Sequence, residues 1–241
     1  MNEALKNSPK LPTNIEEFHF INKKHNYRYE RKFTVPNSFC YRIIEQFVKK
    51  NTALFREVFH VRQVNNIYFD TAKYNDYFDN VLGVSDRKKI RIRWYGDTFG
   101  EIRKPVLEFK IKKGIVGDKW SYKLIPFTLN NAFDNETIQS VFRKSNLPLP
   151  ILESVKMVTP ALLNSYSRRY YLSANNKFRI TIDFNLLYHK IEKRFNNFSF
   201  APAADENKII ELKYISFRFK KYFFIVLKIF KIRYWKSFKN C

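Results

Sequence analysis

Cysteine is scarce in this 241-residue chain, which has only Cys40 and Cys241. Two such residues build no disulfide framework and supply no CxxC-type metal cluster, so a reducing, cytoplasmic setting is expected. Long apolar runs are missing too. The longest, Tyr222 to Leu227, falls far short of the roughly 20 residues a bilayer-crossing helix requires, and no spanning helix is expected. Met1 to Pro12 is too polar for a secretory signal. The four histidines, His19, His25, His60 and His189, are scattered and suggest no nucleophile-and-base constellation. Acidic residues are few: 22 Asp and Glu stand against 45 Lys and Arg, a formal charge of +23. Such a field attracts nucleic acid, anionic lipid or polyphosphate, so the expected partner is an anion.

What is present is enough for one sizeable core, since 45% of the residues are hydrophobic. Residues 1–24 lack periodicity, carry Pro9 and Pro12, and read as a flexible lead-in; residues 25–241 read as a single domain. Pro36-Asn37-Ser38 opens a helical pattern with Phe39, Ile43, Ile44, Phe47 and Val48 on one face, running to about Asn51. A second short helix is expected from Lys73 to Leu82, ended by Gly83. The remainder reads mainly as strands of a meander, rich in Val, Ile, Tyr and Phe.

Those strands share one pattern. Arg87, Lys89, Arg91 and Arg93 alternate with Lys88, Ile90, Ile92 and Trp94; Val106, Glu108, Lys110 and Lys112 alternate with Leu107, Phe109 and Ile111. Lys177, Arg179, Thr181 and Asp183 alternate with Phe178, Ile180, Ile182 and Phe184, and Glu211 and Lys213 with Ile210, Leu212 and Tyr214. A single strand of this kind is ordinarily just wet on its polar side. An ordinary wet face, however, mixes Ser, Thr, Gln and both charge signs, whereas these faces are dominated by cations with single carboxylates beside them. An antiparallel barrel keeps polar residues inside and apolar ones under covering helices, and its interior would be a concentrated anion site.

Arg forks and Lys point charges match the tetrahedral oxygens of a triphosphate. Glu30, Glu108 and Glu211 sit among those cations, where phosphate would repel them unless a divalent ion, Mg²⁺ or Mn²⁺, stood between; salt bridges to neighbouring Arg and Lys are the equal alternative. Phosphoryl transfer relies on positioning and charge stabilisation, and a phosphate nucleophile is already ionised near neutral pH.

Particular strings go further. Arg28-Tyr29-Glu30-Arg31-Lys32-Phe33, Asn66-Ile67-Tyr68-Phe69-Asp70-Thr71, Lys89-Ile90-Arg91-Ile92-Arg93-Trp94-Tyr95 and Leu107-Glu108-Phe109-Lys110 are followed by Tyr166-Ser167-Arg168, Arg179-Ile180-Thr181-Ile182-Asp183 and Ile210-Glu211-Leu212-Lys213-Tyr214. In this order, over roughly Tyr27 to Tyr214, the chain resembles the VTC domain of the triphosphate tunnel superfamily. The resemblance implies an α+β fold built on a closed antiparallel eight-stranded β-barrel with flanking helices. It also implies a metal-dependent polymerase that transfers the terminal phosphate of ATP onto polyphosphate. Lys32, Arg91, Arg93, Lys110 and Arg168 are the implied phosphate ligands at the reacting centre; Glu211 is the implied metal carboxylate, assisted by Glu30 and Glu108. Arg28, Lys89, Arg179 and Lys213 extend the phosphate-binding set, and Lys119 or Lys123 resembles a further tunnel lysine.

The sister branch of the superfamily, the CYTH proteins, opens with ExExK and includes triphosphatases and adenylate cyclases; here the string is RxExK, with Arg28 in the place of the first Glu. A guanidinium there favours anion gripping over metal-activated water, hence polymerase over hydrolase of tripolyphosphate or nucleoside triphosphate. A non-catalytic polyanion-binding module is the third alternative, though Glu on the basic faces argues against a nucleic-acid surface. Family members end in a Ser-Lys-Tyr element, for which this chain offers Lys239 in Phe238-Lys239-Asn240, a departure that leaves the C-terminal element incomplete. Residues 217–235 read as a basic, aromatic packing helix, with peripheral contact to anionic lipid as the second reading.

Overall fold

The computed structural model describes residues 28–114, 116–192 and 196–214. The lead-in at 1–24, the basic helix expected at 217–235, and Lys239 all lie outside the described residues.

The main sheet is antiparallel throughout. In chain order its strands are β1 (Arg28–Val35), β2 (Arg56–Asp70), β3 (Asp86–Tyr95), β5 (Val106–Lys113), β6 (Val116–Lys123), β8 (Thr159–Leu172), β9 (Phe178–Lys190), β10 (Ala203–Asp205) and β11 (Lys208–Tyr214). The short strands β4 (Gly100–Ile102) and β7 (Phe127–Leu129) pair separately. Neighbours in the nine-stranded sheet run β10-β9-β11-β1-β6-β5-β3-β2-β8, and β8 pairs in turn with β9. Eight of the nine strands therefore have a partner on both sides, while β10 lies outside them, one strand beyond the expected count. β2 and β8 are paired from Arg56 opposite Leu172 to Asp70 opposite Thr159, and among the described residues β1 meets β6 at Arg28 opposite Gly117 and Tyr29 opposite Val116.

The alternation read from the sequence sorts the two faces. Ile90, Ile92 and Trp94, with Leu107, Phe109 and Ile111, are buried in one core beneath two helices, α3 (Asn135–Lys144) and α4 (Leu149–Lys156). Ile180, Ile182, Ile210 and Leu212 form a second core with Ile44 and Val48 of α1 (Tyr41–Lys49). The fourth helix among the described residues, α2 (Asn75–Val81), lies within the expected Lys73–Leu82 span, and Gly83 follows it at φ +71°, a conformation glycine adopts without strain. Asp70 caps it from the end of β2, its two carboxylate oxygens accepting from the backbone N–H of Asp76 at 3.0 Å and of Tyr77 at 2.9 Å.

Helices α3 and α4 correct the expectation that this stretch is strand. Ile138, Val141 and Phe142 recur at helical spacing and are buried, as are Ile151 and Val155. Asp134 starts α3 by accepting from the Thr137 N–H at 2.8 Å, and Pro148 sits at the N-cap of α4. Among the described residues no helix is long and apolar enough to cross a membrane.

Phe142 is fully buried with its ring against Phe69 at 5.6 Å between centroids, and so fastens α3 to the outer face of β2. Phe142→Ala is expected to lower the folding free energy by about 3–5 kcal/mol, measured by urea denaturation. A change below about 1 kcal/mol would show that this contact does not carry the core.

Candidate functional site: a cationic sheet face

Register brings the polar members of the alternation together on the face away from the two cores. Tyr68 stands opposite Arg91, Arg91 opposite Glu108, and Asn66 opposite Arg93. Lys110 is opposite both Lys89 and Lys119. On the other side Lys32 faces Glu211, Glu30 faces Lys213, Arg168 faces Asp183, and Glu211 and Lys213 face Thr181 and Arg179. Directly opposed residues of antiparallel strands project to the same side.

Two guanidinium groups are locked in place. Arg91, only 4% exposed, donates to Glu108 Oε2 through Nε at 2.8 Å and an Nη at 2.5 Å, while its other Nη reaches the Tyr68 hydroxyl at 3.2 Å. The second oxygen of Glu108 accepts from Lys119 Nζ at 2.7 Å. Arg168 grips both oxygens of Asp183, at 2.5 and 2.6 Å, and lies 3.6 Å from Glu211. Burial acts to raise the Glu108 carboxyl, but Arg91, Arg93 and Lys119 outweigh it and hold the group well below the usual carboxylate range.

Arg93 is held by neutral groups. Its Nε donates to Asn66 Oδ1 and an Nη to the Tyr166 hydroxyl, both at 2.9 Å. Asn66 is fixed in turn by donating to Asn164 at 2.8 Å. Among the described residues Arg93 has no carboxylate in ion-pair reach. Lys110 carries the mark of crowding. Burial pushes its ammonium well below the usual lysine range, Arg91 and Lys213 push the same way, and Glu30 and Glu211 oppose them. Lys32 moves upward, since burial is overcome by Glu211 and Glu30.

Glu211 is the carboxylate that retains coordinating capacity. It is 3% exposed, and burial is outweighed by Lys213 and Lys32, so the group is ionised. Lys213 Nζ stands 3.0 Å from its Oε1 as an ion pair, and among the described residues that buried oxygen has no hydrogen-bond partner. Glu30 lies on the adjoining strand, 3.8 Å from both Lys32 and Lys213 and one-third exposed. Among the described residues no group of three or more His, Cys, Asp or Glu is placed to hold an ion. One or two carboxylates completed by phosphate oxygens and water is how Mg²⁺ is usually bound, and Glu211 with Glu30 fits that pattern. Both oxygens of Glu108 are already taken by cations.

Of the residues expected from sequence, Lys32, Arg91, Arg93, Lys110, Lys119, Arg168, Lys213, Glu30, Glu108 and Glu211 share this face. Lys89 and Arg179 occupy register positions at its margin. Lys123 is exposed opposite Val106, further along β6. Arg28 is at the β1–β6 join. Tyr68, Asn66, Tyr166 and Asp183 belong to the site as well, and sequence reasoning gave them no role. Their signal was available as the period-two alternation through Asn66-Ile67-Tyr68-Phe69, which puts Asn66 and Tyr68 opposite the buried Ile67 and Phe69.

A family model, the VTC domain, matches residues 27–235. No curated protein matches the chain. Among solved structures the chain is similar to an adenylyl cyclase candidate from Hippeastrum described as having a dominant triphosphatase activity, at 14% identity and a TM-score of 0.47, covering 83% of this chain and 86% of that one. A second, an adenylate cyclase candidate from Vibrio parahaemolyticus, has 13% identity and a TM-score of 0.49 over 90% and 97% of the two chains. A third, the PH1819 protein from Pyrococcus horikoshii, has 13% identity and a TM-score of 0.41 over 85% and 87%.

Tyr68 gives a direct readout of the field on this face. Burial would raise its phenol, but Arg91, Arg93 and Lys32 outweigh burial and bring it down to about 8, against an ordinary value near 10. One tyrosinate step near pH 8 is expected in ultraviolet absorbance and should be absent from Tyr68→Phe. Because the folded-state value is the lower one, ionised Tyr68 favours the fold: its contribution is complete above about pH 10 and is lost as pH falls through about 8. Identical titrations of the two proteins would show that the cations do not converge on Tyr68.

Proposed function

Since the chain belongs to the VTC domain family, we propose that it is a polyphosphate polymerase, transferring the terminal phosphate of ATP onto a growing polyphosphate chain, and that β9, β11, β1, β6, β5, β3, β2 and β8 wrap the reacting groups in a tunnel. The observation that carries this reading is the convergence of Lys32, Arg91, Arg93, Lys110, Arg168 and Lys213 on one face, with Glu211 left able to coordinate. Arg28 in the RxExK string supports the polymerase over the hydrolase.

In this reading Arg93 and Lys110 hold the transferring phosphoryl group, because among the described residues neither has its charge consumed by a bonded carboxylate. Arg91 and Arg168, fixed by Glu108 and Asp183, supply stationary positive charge that needs no rearrangement as the reaction proceeds. An oxygen at the end of the polyphosphate chain forms the new bond to the γ-phosphorus, the bond from the γ-phosphorus to its bridging oxygen breaks, and ADP leaves with that electron pair. No proton has to be removed from the nucleophile. Glu211 and Glu30 would hold Mg²⁺ or Mn²⁺, which when bound neutralises charge on the phosphate oxygens. Lys32 and Lys213 stand beside those carboxylates, both 3.8 Å from Glu30 and Lys213 3.0 Å from Glu211. Glu108 is a counter-ion in this scheme.

Full-length protein given ATP with Mn²⁺ or Mg²⁺ is expected to make chains longer than triphosphate, resolved on polyacrylamide gels. Release of orthophosphate alone would overturn the polymerase reading in favour of hydrolysis. Arg93→Ala, which breaks no ion pair among the described residues, is expected to weaken ATP binding about 10- to 100-fold, the value of one or two charge-assisted hydrogen bonds. Unchanged affinity would place the anion elsewhere.

A further inference from the structure

One end of the cationic face is aromatic. On β2, β3 and β8 the register steps outward from Asn66, Arg93 and Arg168 to Arg62, Tyr95 and Tyr170. The guanidinium of Arg62 lies 4.0 Å from the ring centroid of Phe59, 5.6 Å from that of Tyr95 and 5.8 Å from that of Tyr170. Phe59 meets Tyr170 edge to face at 5.5 Å. Arg168, whose carboxylate partner is Asp183, is also within 5.9 Å of Tyr170, so the aromatic group is continuous with the phosphate-facing cations.

We propose that Phe59, Tyr95, Tyr170 and Arg62 form a platform for the nucleobase of a nucleoside triphosphate, a subsite that deepens the function proposed above and rests on it. Phe59 and Tyr95 are 47% and 51% exposed, so their rings are open to a ligand and do not belong to a core. Arg62 is directly opposite Arg168, and among the described residues no carboxylate lies in ion-pair reach of it. An uncompensated guanidinium held on aromatic rings beside a row of cations suits a ligand that is flat and aromatic at one end and anionic at the other. The π faces and the planar guanidinium stack on a base, and the same guanidinium reaches the phosphate nearest the ribose. Tyr95 is two residues beyond Arg93, about 6–7 Å along the strand, so one molecule carrying a phosphate chain and a base spans both regions.

The backbone supports the arrangement. β2 departs from regular pairing between Glu57 and Phe59 and again between Phe59 and Arg62, and irregularities of this kind re-aim side chains. They bring Phe59 and Arg62, three positions apart, to a single point. Burial, with the Tyr95 phenol next in effect, keeps the Tyr170 hydroxyl protonated, so the platform adds no negative charge near the phosphates. Cationic aromatic ligands are disfavoured by the surrounding Arg62, Arg93 and Arg168.

The test compares ATP with inorganic tripolyphosphate, which has the phosphates and no base, by calorimetric titration of full-length protein at fixed Mg²⁺. Phe59→Ala and Tyr95→Ala are each expected to weaken ATP binding about 5- to 100-fold, in line with loss of a base stack, and to leave tripolyphosphate within about twofold. Phe59→Tyr keeps the ring and should keep the affinity. Circular dichroism of each variant shows that these exposed positions still fold. Equal weakening of both ligands, or ATP affinity unmoved in both alanine variants, would overturn the platform while the tunnel reading stands. Failure of the unaltered protein to bind either ligand would overturn the tunnel reading and the platform with it.

Discussion

A guanidinium shut away from water needs a carboxylate beside it, and in this protein that requirement organises the polar face of the sheet. Arg91 is tied to Glu108 across β3 and β5, and Arg168 to Asp183 across β8 and β9. Each pair joins two strands by side chains as well as by ladder hydrogen bonds. Leaving either partner buried and alone costs roughly 3–5 kcal/mol, a large part of the stability of one domain. The acids on this face are thus consumed first by the fold. Only after Glu108 and Asp183 have been assigned to their arginines does the surplus of cations become visible as a capacity for anions, and among the described residues of this face Glu211 and Glu30 are the carboxylates not locked to an arginine by hydrogen bonds.

That surplus has an energetic signature of its own. Lys110 is brought near Arg91 and Lys213 in a partly buried place, and its ammonium is disfavoured there; Lys32, next to Glu211 and Glu30, is favoured. A polyanion entering the face would satisfy the first lysine and leave the second undisturbed.

Much of the fold was legible from residue order because a strand with one buried face must alternate. Ile90, Ile92, Leu107, Phe109, Ile180, Ile182, Ile210 and Leu212 are all in the cores the alternation assigned to them. The cations on the opposite side were legible for the same reason. Helices α3 and α4 were not, because their apolar residues are few and the short segments lie among strongly β-prone sequence; a side-chain cap at Asp134 and a proline at position 148 decide them. Within the site, sequence could name charges but not their pairing. Nothing in the order of residues says that Glu108 is bound by Arg91 and Lys119 while Glu211 stands between Lys213 and Arg168, since that depends on which strands become neighbours. Arg62 and its rings were hidden further, because the irregular pairing of β2 breaks the alternation from which such a cluster could be read.

The long pairing of β2 with β8, from Arg56 opposite Leu172 to Asp70 opposite Thr159, also bears on how the molecule moves. Ladder bonds between strands open cooperatively, and the free energy of parting two strands grows with the number of rungs that must break together. These two strands therefore move as one, and they carry Asn66, Tyr68 and Arg168 with them.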